Sequence, residues 1–168
     1  MSEKTFRPLS LRYQGWNYAA TGWYFVTICT KERIPFFGNI DGNGQMNLNK
    51  CGQIVGEEWL RMAKVRSSLE LDEYSIMPDH IHGIVIIENE DAADPEDLTS
   101  ANHWQAGCLG AVIGRFKERC TKRIRKAGYS SFLWQRNFYD HIIRNEKDLE
   151  RIREYMHKNP TVEAFGKW

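Results

Sequence analysis

Two histidines separated by one residue, His80-Ile81-His82, are the side chains in this sequence best suited to hold a metal ion. Alternate residues of an extended strand point to one face, so both imidazoles project together, about 7 Å apart at the backbone. Neutral imidazole is a good ligand for divalent transition metals. Further along, Tyr155 and Asn159 stand four residues apart. In a helix that spacing puts one above the other on the same face. An asparagine oxygen could complete a metal site begun by two histidines. The tyrosine one turn away would then lie over whatever the metal binds. Tyrosine is a covalent nucleophile, but a phenol with a pKa near about 10 is sluggish without help. A metal that stabilises charge on phosphodiester oxygens supplies that help. Each residue also has a plainer reading: two satisfied histidines at a strand mouth, a half-buried helix tyrosine, and an asparagine capping a helix before Pro160.

The elements that must position these residues can be read from periodicity. Residues 22–30 are β-branched and aromatic and predict a buried strand. Asp41-Gly-Asn-Gly44 predicts a turn between two short extended pieces. Residues 52–66 predict a helix, with Ile54, Val55, Trp59, Met62 and Ala63 on its apolar stripe. Residues 69–76 and 80–88 predict two strands joined by a turn at Met77-Pro78-Asp79. Residues 88–98 hold six acidic side chains and no basic ones, and predict a mobile exposed loop reaching about residue 107. Residues 109–126 predict a helix whose apolar side carries Leu109, Val112, Ile113, Phe116, Cys120 and Ile124. Residues 128–137 read as a loop. Asn145 is a good N-cap for a helix running to residue 158, and Pro160 ends it. Strands and helices mix without strict alternation, so one antiparallel α+β domain over residues 1–168 is expected.

Net charge is only +1, but it is unevenly spread. Residues 1–100 carry 9 basic and 15 acidic side chains, and residues 101–168 carry 14 basic and 7 acidic. The basic half suggests a polyanion partner. Arg115, Lys117, Arg119, Lys122, Arg123, Arg125 and Lys126 crowd one helix and read as a phosphate-binding face, or as a solvated face that happens to be basic. Trp104, Tyr129 and Trp134 are candidates for stacking on bases, or else core. Cys29, Cys51, Cys108 and Cys120 are widely spaced and read as buried thiols in a reducing cytoplasm. No apolar run suggests a signal peptide or a membrane span, so no membrane partner is expected.

Four segments carry a family resemblance: Tyr24-Phe-Val-Thr-Ile-Cys-Thr30, Met77-Pro-Asp-His-Ile-His-Gly83, Trp134-Gln-Arg-Asn-Phe-Tyr-Asp-His-Ile-Ile-Arg-Asn145 and Arg153-Glu-Tyr-Met-His-Lys-Asn-Pro160. In that order they resemble the REP-associated tyrosine transposases of the IS200-like HUH class of single-strand transposases, from about Arg7 to Pro160. The resemblance implies a ferredoxin-like α+β fold, a central antiparallel sheet with helices on one side. It implies that His80 and His82 bind a divalent metal, Mg or Mn, with Asn159 as third ligand and Tyr155 as nucleophile. Insertion-sequence members of the class place Gln where this chain has Asn159. His141 falls in a family block as a possible positioning residue, as does Arg144. The implied substrate is single-stranded or hairpin DNA, REP-like palindromes, cut through a 5′-phosphotyrosine by a monomer or homodimer. Three other readings stand beside it. A histidine-triad hydrolase fails because position 84 is Ile. A metal-independent tyrosine recombinase could use His141-Ile-Ile-Arg144 with Tyr155, although their spacing is tight. A non-catalytic DNA- or RNA-binding protein could retain the fold.

Overall fold

Tyr24, Val26 and Ile28 are buried on one side of the strand β1 (Gly22–Cys29), and Phe25 and Thr27 are buried on the other. Such a strand must be covered on both faces, and the rest of the chain supplies the covers. The computed structural model describes residues 16–89 and 107–158. After β1 come a short 3-10 turn (Lys31–Arg33) and the small hairpin β2 (Gly38–Ile40) and β3 (Met46–Leu48). Helix α1 (Lys50–Lys64), strands β4 (Leu69–Met77) and β5 (His80–Ile87), helix α2 (Leu109–Lys126), strand β6 (Tyr139–Ile143) and helix α3 (Glu146–Lys158) follow.

The four-stranded sheet runs β4-β5-β1-β6, every neighbour antiparallel. With α1 after β1 and α2 after β5, this is the β-α-β-β-α-β ferredoxin-like arrangement. The expected α+β fold is therefore present. α1 and α2 pack on the face made by Tyr24, Val26, Ile28, Ile81, Val85 and Ile87. Trp59 joins that layer together. It is fully buried, lies edge-on to Phe116 of α2 with centroids 5.4 Å apart, and presses on the backbone of Gly83. A Cβ on Gly83 would meet the Trp59 ring at 2.2 Å, so only glycine lets the helix sit this close.

α3 departs from the expected one-sided arrangement. Its apolar stripe, Leu149, Ile152 and Met156, packs with Phe25, Ile84 and Ile143 on the opposite face of the sheet. The reason lies in β1 and β5. Both present apolar residues on both faces, so the second face also needs a cover. Ion pairs tighten the fit. β4 has an irregularity between Leu71 and Tyr74, and there Asp72 meets Arg153 while Glu73 meets His157 at 3.0 Å.

The predicted turn at 41–44 and the hairpin around it are present, with Asp41 accepting from the backbone of Asn43 and Gln45. α1 begins earlier than expected because Asn49 caps it, accepting from the N–H groups of Cys51 and Gly52. Asn145 caps α3 as expected, accepting from Asp148 N at 2.9 Å. β6 was not anticipated. Most of the acidic segment at 88–107, with Trp104, lies outside the described residues. Among the described residues no helix is long and apolar enough to cross a membrane.

Candidate functional site

β5 is buried along its whole length because it lies between β4 and β1. Its even-numbered side chains face α3, so His80 and His82 rise side by side beneath that helix. In register, Cys29 lies opposite His80 and Thr27 opposite His82. The Thr27 hydroxyl lies 2.8 Å from His82 Nδ1. Asp79, in the two-residue turn before β5, brings Oδ1 within 2.6 Å of His80 Nδ1. The two Nε2 atoms converge to 3.0 Å.

Nitrogens this close need something between them: a proton donated by one ring, or a cation accepting from both. Two nitrogens each about 2.1 Å from one ion, at right angles, would lie about 3.0 Å apart. Partners on the Nδ1 side of metal-bound histidines commonly fix the tautomer and leave Nε2 for the ion. The pair therefore fits the divalent metal that the resemblance implies. His82 is fully buried, and that burial above all, with the nearness of His80 and Arg33 adding to it, pushes its pKa down to about 3. It stays neutral, as a ligand must. Burial would raise the Asp79 carboxyl, but His80 and Arg33 outweigh it and hold it below the usual carboxylate range.

α3 brings Tyr155 to this pair. Its ring centroid lies 5.7 Å from that of His82 and 6.2 Å from Phe25, which in turn stacks on His82 at 5.4 Å. Asn159 lies outside the described residues. Among the described residues, no group of three His, Cys, Asp or Glu is placed to hold a metal ion.

The other expected site residues are placed differently. His141 Nε2 lies 2.8 Å from Asp148 Oδ2, tying β6 to the first turn of α3. The Arg144 guanidinium lies over the Trp16 ring, 5.8 Å from its centroid. The basic helix α2 covers the face of the sheet opposite the histidines. Four of its seven cations hold the protein itself. Arg119 and Arg123 grip the buried Glu58 at 2.7 and 2.9 Å. Lys117 donates to the carbonyls of Gln135 and Asn137, and Arg125 donates to that of Phe132. Burial also lowers the Lys117 pKa to about 8. Arg115, Lys122 and Lys126 are exposed. Trp134 is half-buried and packed against Phe37, Phe116 and Phe132 at the margin of the core, whereas Tyr129 is exposed. All four cysteines are buried thiols outside any disulfide.

Sequence reasoning did not single out Thr27, Phe25, Asp79, Arg33 or Glu58. Asp79 had a signal, its place next to His80 in a tight turn. Thr27 and Phe25 lie in one of the four segments that carry the resemblance, but nothing local ties them to His82, which they reach only through strand pairing across the sheet.

No family model matches the chain. An uncharacterised protein of Haemophilus influenzae is 39% identical over 159 residues, covering 91% of this chain and 88% of that protein. A second Haemophilus influenzae protein, itself assigned only by likeness as a REP-associated tyrosine transposase, is 27% identical over 90 residues, covering 54% of this chain and 48% of its own length. A solved structure of the REP-associated tyrosine transposase bound to a REP hairpin superposes with a TM-score of 0.56 at 22% identity. It covers 95% of this chain and 73% of that one. The chain belongs to the family of the first Haemophilus protein, and about half of it is similar in sequence to the second. It shares the fold of the solved REP-associated tyrosine transposase, and on that fold the histidine pair and Tyr155 meet on one face of the sheet.

Proposed function

We propose that the chain is a metal-dependent, transposase-like enzyme that nicks and rejoins single-stranded DNA beside hairpin-forming palindromes. The observation that carries this reading is the placement of Tyr155 over His82, whose Nε2 lies 3.0 Å from that of His80. The REP hairpin bound in the solved structure that shares this fold supports the hairpin preference. His80 and His82, with Asn159 as third ligand on the family resemblance, would hold Mg or Mn, which supplies electrostatic stabilisation of charge on the phosphate oxygens.

The chain's own groups do the rest. Tyr155 Oη attacks phosphorus and gives up its proton, so that over the step one proton passes in net from the phenol to the departing oxygen. The bond from phosphorus to the 3′ oxygen breaks, and that oxygen takes a proton to become a free 3′-OH. The 5′ phosphate stays esterified to Tyr155. A 3′-OH can then attack this ester and release the tyrosine. One phosphodiester is exchanged for another, so rejoining needs no ATP. Docking of α3 on the sheet keeps Tyr155 in place through the cycle, and Thr27 and Asp79 hold the two imidazoles.

The test is a labelled hairpin with a single-stranded flank, incubated with the protein and Mn²⁺ and resolved under denaturing conditions. The wild type should form a covalent adduct, and EDTA should prevent it. Tyr155→Phe keeps the ring and should bind the DNA with adduct lost by at least about a thousandfold, as expected when a nucleophile is removed. An adduct that survives in Tyr155→Phe, or that maps to Tyr139, would overturn the assignment. Tight binding with no cleavage by the wild type would favour a non-catalytic DNA-binding protein.

A further inference from the structure

The 3-10 turn that follows β1 is built in an unusual way. Glu32 has φ 55° and ψ 21°, and Arg33 has φ 57°. Both lie in the left-handed region that residues with side chains rarely adopt, and neither is glycine. The turn is held there by Thr30, which is fully buried. Its N–H donates to the carbonyl of Asp79 at 2.9 Å. Its hydroxyl lies 2.8 Å from the carbonyl of Ile34 and 3.0 Å from that of Asp79. The strained turn and the turn carrying Asp79 are thus fastened to each other by one residue.

The outcome is the placement of one guanidinium. Arg33 Nε lies 2.8 Å from Asp79 Oδ2, its Nη1 donates to Cys29 Sγ at 2.8 Å, and its Nη2 lies 3.4 Å from His80 Nδ1. With Oδ2 engaged by Arg33, the other oxygen of Asp79 faces His80 Nδ1 at 2.6 Å. A contact that short to a carboxylate is a charge-assisted hydrogen bond, so Nδ1 carries the proton and donates it. The 3.4 Å approach of Arg33 is too long to compete for that nitrogen. In the neutral ring His80 Nε2 is then the bare nitrogen, turned towards His82.

We propose that Arg33 is a positioning residue for the histidine pair: through Asp79 it fixes the ring orientation and the tautomer of His80. The proposal rests on the metal-binding reading of that pair and adds to it the group that prepares one ligand. Arg33 does not touch the ion. It acts on the carboxylate, which acts on the ring. Backbone strain held at a functional site commonly serves this kind of preparation.

The test uses the full chain with Arg33→Gly and Asp79→Asn. Glycine is at ease at positive φ, so Arg33→Gly removes the guanidinium without straining the turn, and its melting temperature should not fall. Two readouts follow. In metal-free protein, long-range ¹H–¹⁵N spectra should show His80 as the Nδ1–H tautomer in the wild type and as a mixture in both variants. In Mn²⁺ titrations both variants should bind about 10- to 100-fold more weakly than the wild type, the usual effect of losing such a partner. An unchanged tautomer and unchanged Mn²⁺ affinity in both variants would overturn the role of Arg33 and leave the metal reading intact. A wild type that takes up no Mn²⁺, or His80→Ala that binds it as tightly, would overturn the metal reading itself and this proposal with it.

Discussion

Burial drives the pKa of His82 down to about 3 from its ordinary 6.5. The unfolded chain accepts a proton at that ordinary value, whereas the folded chain refuses it until about pH 3. The stability contributed by this neutral ring is therefore fully present above pH 6.5 and is lost as pH falls towards 3. Inside that window one such group gives a slope of about 1.4 kcal/mol per pH unit. Between pH 6.5 and pH 4.5, metal-free wild type should lose about 2 kcal/mol more than His82→Gln does. Urea midpoints at the two pH values measure this, and parallel slopes for the two proteins would refute it. The same neutrality means that His82 need shed no proton to become a ligand.

At the scale of elements, α2 and α3 divide the work. α2 looks like a DNA-binding helix by composition, yet two of its arginines neutralise Glu58, which is 2% exposed. Burial would raise the Glu58 carboxyl, but Arg119 and Arg123 outweigh it and hold it below the usual range. Arg119→Ala should then lower the unfolding free energy by about 2 kcal/mol, because a buried carboxylate loses a partner. Thermal melts check this. Lys122→Ala, on an exposed residue, should leave the melt unchanged. If Lys122 meets a phosphate, the variant should reduce the log–log salt slope of DNA binding by about 0.7 to 0.9. A variant that lowers the melt and spares the slope at Lys122 would reverse this division. The sequence made the apolar faces of α1, α2 and α3 legible, because helical periodicity is local. It also made the histidine pair legible, because alternation on a strand is local. It did not show that Glu58 interrupts the stripe of α1 between Val55 and Trp59, since its partners lie 61 and 65 residues away. β6 went unseen because it is a five-residue edge strand whose first residue is exposed. The side of the sheet that α3 covers was equally hidden, because it depends on which apolar face of β1 and β5 is still uncovered.

At the scale of the whole molecule, the described residues form a sheet covered on both sides. The side under α3 holds the histidines and Tyr155, within a layer of buried aromatic and aliphatic residues. On the proposed function, a rigid helix over a buried pair favours a scissile phosphate that comes on a strand free of its complement. Cleavage of one sequence presented with a single-stranded flank should exceed cleavage of the full duplex by at least about tenfold, on the argument that positioning governs such steps. Equal rates would return a double-strand recombinase to contention.

The placement of α2 behind the sheet also sets a length. A nucleic acid held by Lys122 and Lys126 and cut at Tyr155 cannot lie flat on one surface; it must turn around the rim of the sheet, past β6 or past β4. A helix is about 10 Å thick, so with the sheet beneath it the detour spans roughly 15–20 Å. At about 3.4 Å per stacked nucleotide that is some four to six nucleotides. Substrates trimmed below that length would still reach the tyrosine, and they would do so without any help from the back of the molecule.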